Sequence, residues 1–367
     1  MSLIVGVTGS EGLIGWQTAV FLRTVPDVEL KFATRATFTD YSLLEDFTRN
    51  CDVIFHFAGM NRGLDTEVAE TNIALTKTLI TALEKVGSTA HLVFSSSTHI
   101  KRETLYGQSK QECAALLEAW ATKSGALFTN MVLPNVFGEC GKPFYNSVVS
   151  TFCHQIALGE TPTVHQDAQL EQIHAQAVAR AFWNVVQNKQ SGEVWLEGQQ
   201  ISVLGLLEKI RGFQELYASH IIPDVRNDFD RDLFNTYRSY LYPNQYPRAL
   251  TLYSDNRGSL FESVKTLNGG QTFLSTTKAG ITRGNHFHTR KVERFLVVSG
   301  EAAIRVRRVF DAEVQVFEVS GTQPSYVDIP TLHTHNITNV GSSELITLFW
   351  THEFYSPEQS DTTMELV

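Results

Sequence analysis

Leu3-Ile4-Val5-Gly6-Val7-Thr8-Gly9-Ser10-Glu11-Gly12-Leu13-Ile14-Gly15 is the stretch whose reading decides the fold of the first part of this chain. A short apolar run rich in β-branched residues ends in three spaced glycines, and a helix-like stretch, Trp16 to Arg23, follows at once. Three glycines at fixed offsets are by themselves a weak signal. Their place at a strand-to-helix turn sharpens it, because glycine there lets the backbone approach a pyrophosphate that rests on the helix N-terminus. Gly9, Gly12, Leu13, Ile14 and Gly15 are therefore the candidate cradle of a dinucleotide.

Outward from this turn the same grammar repeats. The apolar runs Leu3–Val7, Val53–Phe57, His91–Phe94 and Phe128–Leu133 alternate with segments such as Glu67–Glu84 and Gln108–Thr122, whose apolar residues recur every three or four positions. Alternation of this kind, continuing to about Val194, predicts βαβ units around a parallel sheet with helices on both faces, an α/β Rossmann-type domain. The second strand is expected to end Phe32-Ala33-Thr34-Arg35, with no carboxylate where NAD's ribose would be held. Thr34 and Arg35 suit a 2′-phosphate, which favours NADPH as cofactor.

Tyr106-Gly107-Gln108-Ser109-Lys110 puts a tyrosine and a lysine at i and i+4 on one helix face. A nearby ammonium is expected to lower the tyrosine pKa and make the hydroxyl a general acid or base. Upstream, the His91–Phe94 strand runs into Ser95-Ser96-Ser97-Thr98, placing hydroxyls at the carboxyl end of a sheet strand, where open α/β sheets bind ligands.

On these residues the chain resembles the extended short-chain dehydrogenase/reductase family over roughly residues 1–245. The resemblance rests on the 8–15 glycine run, Asp40, His56-Phe57-Ala58-Gly59, Asn72, Ser95–Ser97, Tyr106-x-x-x-Lys110 and Leu133-Pro134-Asn135-Val136-Phe137-Gly138. It implies that Ser97 orients the substrate oxygen, Tyr106 exchanges its proton, and Lys110 holds the ribose and tunes Tyr106. It implies too that Asp40 meets the adenine, that Ala58 and Gly59 line the cofactor, and that Pro134 and Asn135 lie near nicotinamide or sugar. Only nine positions separate Ser97 from Tyr106, where the family inserts a longer loop, so Ser96 and Thr98 compete with Ser97 for its role; His99, inside that loop, reads as structural or solvated.

Two prolines in Tyr240-Leu-Tyr-Pro-Asn-Gln-Tyr-Pro247 mark a change of character. The expected division is a reductase domain over 1–247 and a second domain over 248–367. The latter carries short β-rich runs, among them Gln271–Thr276, Phe295–Val298, Ala302–Arg307, Val314–Val319 and Leu345–Phe349, with no helical pattern between them. An all-β barrel or jelly roll is the expectation.

Within it stands Gly280-Ile-Thr-Arg-Gly-Asn-His286-Phe-His288-Thr-Arg-Lys-Val-Glu293, and later His333-Thr-His335. Histidines two apart in a strand share a face, so a His-x-His pair can hold one ion with a carboxylate from the next strand. The spacings resemble the two motifs of the cupin superfamily, with Leu332 standing where glycine is usual. The resemblance implies His286, His288, Glu293 and His335 as metal ligands, with His333 as the alternative to His335. Three imidazoles and one carboxylate suit zinc, and iron, manganese and nickel remain open. Ahead of them, Asp255-x-Arg257-Gly258-x-x-Phe261-Glu262 resembles the entry strand of cupin-fold epimerases, with Arg257 as a diphosphate partner.

Taken together, the two halves resemble a family of bifunctional capsular polysaccharide synthesis enzymes. That resemblance implies a UDP-linked 2-acetamido-4-keto-2,6-dideoxyhexose, epimerised at C3 by the cupin and reduced at C4 by the other domain towards UDP-N-acetyl-L-fucosamine, by a homodimer. The alternative is a reductase whose β domain serves only for dimerisation or ligand sensing. Composition excludes other classes: 30 Lys plus Arg against 39 Asp plus Glu give a net charge of −9, which leaves no chain-wide basic field for nucleic acid or anionic membrane. The four cysteines, Cys51, Cys113, Cys140 and Cys153, form no CxxC pair, and no apolar run reaches the roughly 18 residues of a membrane span. With no charged leader ahead of Leu3, the expected location is the cytoplasm.

Overall fold

The computed structural model describes residues 2–256 and 258–367, which pack as two compact units interleaved along the chain. One comprises the residues up to Val148 together with Asp167–Val203; the other comprises Val149–Gln166 and Leu204–Val367. Among the described residues no helix is long and apolar enough to cross a membrane.

The first unit runs β1 (Leu3–Thr8), α1 (Leu13–Leu22), β2 (Val28–Ala33), α2 (Arg35–Thr39), α3 (Tyr41–Arg49), β3 (Val53–His56), α4 (Asp65–Val86), β4 (His91–Ser97) and α5 (Leu105–Ser124). After these come β5 (Phe128–Leu133), β6 (Asn135–Phe137), α6 (Val148–Ala157), β7 (Gln169–His174), α7 (Ala175–Gln187), β8 (Gly192–Trp195) and β9 (Gln199–Ser202), α6 belonging almost wholly to the other unit. Six strands form a parallel sheet in the order β2-β1-β3-β4-β5-β8. Chain order reverses at β1, whose neighbours are β2 and β3, and it is at the carboxyl end of such a switch point that open α/β sheets bind ligands.

Both faces are covered, as a parallel sheet with near-continuous apolar strands requires. On one side Leu44 and Phe47 of α3, Leu79 and Leu83 of α4, and Leu117 and Trp120 of α5 pack on Ile54, Leu92 and Phe94. On the other, Leu22 of α1 and Val178, Phe182 and Val185 of α7 pack on Val5, Val7, Phe55 and Val93. Burial of apolar side chains on this scale, at about 1.5–3 kcal/mol each, holds the sheet rigid beneath its loops.

In the second unit the two large sheets are antiparallel. One five-stranded sheet has Gln271–Thr277 at its edge, then Leu345–Thr351, Glu293–Ser299, Ser325–Ile329 and Arg248–Ala249. The other runs Val314–Ser320, Glu301–Arg308, His333–Asn339, Thr282–Phe287 and Thr363–Met364. Phe295 of the first sheet meets His335 of the second, ring centroids 5.5 Å apart, so the two sheets share an interior.

Helices α8 (Val203–Ala218) and α9 (Asp228–Ser239) cover the outer face of the first sheet. Tyr217 of α8 donates to Asp328 at 2.5 Å, and Asp328 holds Arg294 of the neighbouring strand through bonds of 2.7 and 2.9 Å. Both members of that ion pair are fully buried. Removing either would leave a charge without its partner, at roughly 3–5 kcal/mol.

Candidate functional site

The glycine turn is closely folded onto the helix that follows it. Gly9 has φ +67°, a conformation that favours glycine, and a side chain on Gly15 would lie 2.3 Å from the Gly9 carbonyl oxygen. That closeness folds the loop tightly onto the first turn of α1. Gly12 is the N-cap, exposed, and no side chain caps the helix, so its first-turn N–H groups are presented to an anion. Gly9, Gly12, Leu13, Ile14 and Gly15 thus fit the pyrophosphate of a dinucleotide.

Thr8 ties this turn to the next strand: its hydroxyl accepts from Ala58 N at 3.0 Å and meets His56 Nδ1 at 2.9 Å. Asn72 of α4 pins the same loop by bonding both the N–H and the carbonyl of Met60, at 2.7 and 2.9 Å. Ala58 and Gly59 are held in place between those two anchors. At the end of β2 the chain departs from expectation: the strand stops at Ala33, Thr34 becomes an N-cap in a capping box with Thr37, and Arg35 opens α2. Thr34 and Arg35 are exposed beside the cradle strand's neighbour. Asp40 caps α3, accepting from Ser42 N and Leu43 N at 2.9 and 3.3 Å. Buried Pro134 and exposed Asn135 follow β5, with the Asn135 amide donating to the Glu171 carbonyl at 3.1 Å.

Ser97, Tyr106 and Lys110 come together at the end of β4 and the start of α5. The Ser97 side chain lies near enough to Tyr106 to influence its proton, and its hydroxyl accepts from His99 N at 3.2 Å. Lys110, one turn along, is buried, donates to the Ser95 carbonyl at 2.9 Å and lies 6.0 Å from the centre of the Tyr106 ring. The short Ser97–Tyr106 connection closes as a 3-10 turn, Thr98–Lys101. It closes because residue 107 is glycine: a side chain there would fall 2.3 Å from the His99 carbonyl oxygen. His99 packs its ring edge against Tyr106, centroids 5.8 Å apart.

Electrostatics here differ from the expectation that Lys110 lowers the Tyr106 pKa. Burial raises it, and the nearby Ser97 hydroxyl offsets only part of that rise. Burial also pulls Lys110 down to about 8. At neutral pH Tyr106 is therefore a protonated phenol, a proton donor.

His286, His288, Glu293 and His335 converge in the second unit, with one ligand atom from each lying within 4.8 Å of all the others. Glu293 Oε2 stands 3.2 Å from both His288 Nε2 and His335 Nε2. A β-bulge between Gly284 and His286, with Asn285 at φ +68°, turns His286 into the group. The distal nitrogens are fixed: His288 Nδ1 bonds the Asp361 carbonyl at 2.6 Å and His335 Nδ1 the His333 carbonyl at 3.1 Å, which directs both Nε2 lone pairs inward. Nε2 of His335 is buried without a well-formed hydrogen bond. Burial, with His335 and His288 beside it, pushes His286 down to about 3, so it is neutral. Although burial acts the other way, the neighbouring His288 and His335 hold the Glu293 carboxyl well below the usual range.

Three imidazoles, that of His286 neutral, and an ionised carboxylate with ligand atoms within 4.8 Å of one another fit a divalent metal. His333 is outside the group; its Nδ1 bonds the Thr331 carbonyl at 2.8 Å and its ring packs on Tyr242. Leu332 adopts φ +64°, a backbone state that explains why glycine is usual at this position. Arg257 lies outside the described residues. Sequence reasoning passed over Asp361, whose carboxylate lies beneath the loop joining His288 to Glu293.

The profile of the NAD dependent epimerase/dehydratase family matches residues 5–198, and that of the polysaccharide biosynthesis C-terminal domain matches residues 253–363. The chain is similar to the UDP-2-acetamido-2,6-beta-L-arabino-hexul-4-ose reductase of Pseudomonas aeruginosa, 32% identical over 362 residues that span 97% of this chain and 96% of that protein. Among solved structures it is similar to the capsular polysaccharide assembling protein CapF from Staphylococcus aureus, at 31% identity and a TM-score of 0.65, covering 99% of this chain and 100% of that one. A CapF structure with the inhibitor 3-isopropenyl-tropolone matches at 29% identity and a TM-score of 0.58, covering all of both chains.

Proposed function

This chain belongs to the NAD dependent epimerase/dehydratase family, and we propose that it is a bifunctional enzyme of UDP-linked 2-acetamido-4-keto-2,6-dideoxyhexoses. The residues before 248 carry an NADPH-dependent reduction at C4, and residues 248–367, a cupin barrel closed by the two five-stranded sheets, carry an epimerisation at C3. One observation carries this reading: the described residues hold two separate reactive sets, Ser97-Tyr106-Lys110 and the His286-His288-Glu293-His335 cluster.

The C4 ketone acidifies the C3 hydrogen, and reduction removes that acidity, so epimerisation precedes reduction. A divalent ion, zinc by the donor set, would act at the cluster as a Lewis acid for the sugar's oxygens. His286, His288, Glu293 and His335 would hold it, with Phe295 packed against His335 in the interior. In the reductive half, NADPH would supply the hydride when bound. Ser97 orients the C4 oxygen, Tyr106 gives its phenolic proton to that oxygen, and Lys110 would hold the ribose. The raised Tyr106 pKa supports this direction, since a donor must carry its proton. Arg35, exposed at the end of β2, takes the 2′-phosphate. Inhibition of CapF by a tropolone supports the metal half, because vicinal oxygens of that ring chelate divalent cations.

The test is an assay with the 4-keto UDP-sugar in deuterated water. Deuterium should enter at C3 without NADPH, and NADPH should be consumed when added. Tyr106→Phe should keep the exchange while losing roughly 10²–10⁴-fold in NADPH oxidation. His288→Ala should lose metal and exchange, yet reduce a substrate already epimerised at C3 with less than about a tenfold loss, about 1.4 kcal/mol in barrier. Undiminished exchange in a metal-free His288 variant would remove the cluster from the reaction.

A further inference from the structure

Three consecutive residues, Thr289, Arg290 and Lys291, join His288 to Val292 and the ligand Glu293. A turn this short leaves its backbone N–H groups facing inward, where buried donors require partners. One side chain supplies them all. Asp361 Oδ1 accepts from Thr289 N at 3.0 Å and from the Thr289 hydroxyl at 2.6 Å, while Oδ2 accepts from Arg290 N at 2.9 Å and Lys291 N at 2.8 Å. Four donors fill the lone-pair sites of one buried carboxylate.

The same residue's carbonyl accepts from His288 Nδ1 at 2.6 Å, so Asp361 fixes the imidazole as well as the loop. Two residues on, Thr363–Met364 pairs antiparallel with the His286 strand, His286 opposite Met364 and Phe287 opposite Thr363. From the other side, the Leu332 N–H donates to the His288 carbonyl at 2.7 Å. His288 is therefore gripped at ring and backbone, and the segment around Asp361 touches the supports of two ligands, His286 and His288, together with the loop that delivers Glu293.

We infer that Asp361 is the positioning residue of the metal centre, setting the spacing of Glu293 to the histidines and the tautomer of His288. The inference rests on the metal reading above. A carboxylate is required there: an amide at the same place would turn N–H groups towards the loop's N–H groups and leave a buried donor unpaired. Outer partners of this kind govern affinity, because they hold ligands at the distance a metal accepts before it arrives.

Zinc alone is the probe, titrated into the full chain in competition with a chromophoric chelator, and cobalt(II) substitution reports the ligand geometry. Asp361→Asn should bind zinc about 10–100-fold more weakly than the parent protein and shift the cobalt d–d bands. NADPH binding in the same variant should match the parent. A residue that merely staples the segment in place would lower the melting temperature of the metal-free protein without changing either metal readout, and that result overturns the inference. Should Asp361→Asn not fold, Thr289→Val removes only the 2.6 Å hydroxyl bond; it should weaken zinc binding by about three- to tenfold, and an unchanged affinity again refutes the role. Failure of the parent protein to bind zinc strikes the metal reading, whereas parent-like binding in the variants strikes this inference alone.

Discussion

Replacing Lys110 by methionine should make the metal-free, cofactor-free protein more stable while abolishing reduction. The ammonium is buried and pulled from its ordinary 10.5 down to about 8 by that burial, a gap that corresponds to roughly 3 kcal/mol against the folded state at neutral pH. Against this stands one charge-assisted hydrogen bond, from Nζ to the Ser95 carbonyl at 2.9 Å, whose loss costs about 1.5 kcal/mol. Methionine fills nearly the same volume and keeps the contact that Lys110 makes over the Phe94 ring at 4.7 Å. The net gain is therefore about 1–2 kcal/mol, or roughly 2–8 °C in the melting transition of a unit of this size.

The pH dependence gives the sign. Below about pH 8 the lysine is protonated in both folded and unfolded chains, and the full cost of burying the charge is present. Between about 8 and 10.5 the folded protein has released the proton while the unfolded chain keeps it, so the parent protein gains stability as pH rises and the advantage of methionine fades. Paired thermal melts at pH 7 and pH 10 measure this directly. A Lys110→Met protein less stable than its parent at pH 7, or one whose advantage is the same at both pH values, would refute the argument that desolvation of this charge dominates. Loss of NADPH oxidation in the stabilised variant would then mark the burial as a cost borne for function.

Arg35→Ala should raise the KM for NADPH by about tenfold and leave that for NADH unchanged, as steady-state rates with each cofactor would show; equal effects on both would separate Arg35 from the phosphate. Gly15→Ala pushes a methyl to 2.3 Å from the Gly9 carbonyl oxygen and must displace backbone, so NADPH binding measured by fluorescence should weaken at least about tenfold, while zinc binding stays at the parent level.

What the sequence made legible, and what it hid, follows from how local each signal is. The glycine turn lies in one continuous stretch in which strand, turn and helix succeed each other, so its local structure could be read from period and glycine spacing in that context. His286, His288 and Glu293 are likewise close in sequence, and strand alternation brings the two histidines to one side. Alternation is also why Arg294, directly after Glu293, points the opposite way. An arginine in a strand reads as solvent-facing, yet this one is fully buried because Asp328 lies across from it and Tyr217 of α8 reaches in from a helix far back in the chain. Nothing in a period-2 pattern announces a helix on the far face.

Asp361 was hidden for the same reason: it acts on Lys291 from 70 positions away, on a segment whose own pattern is that of an exposed tail. Leu332 shows the converse case. The motif's usual glycine marks a backbone requirement, and here the chain meets that requirement, φ +64°, with a leucine that is fully buried. A left-handed leucine costs about 1–2 kcal/mol in conformation, and burying its side chain returns about as much. The departure from the motif therefore leaves the turn intact, with its N–H on the His288 carbonyl and its carbonyl accepting from Val309 N at 3.1 Å. A motif position is thus a statement about a dihedral angle and a pair of hydrogen bonds, and any residue that can hold both, with compensation from packing, satisfies it.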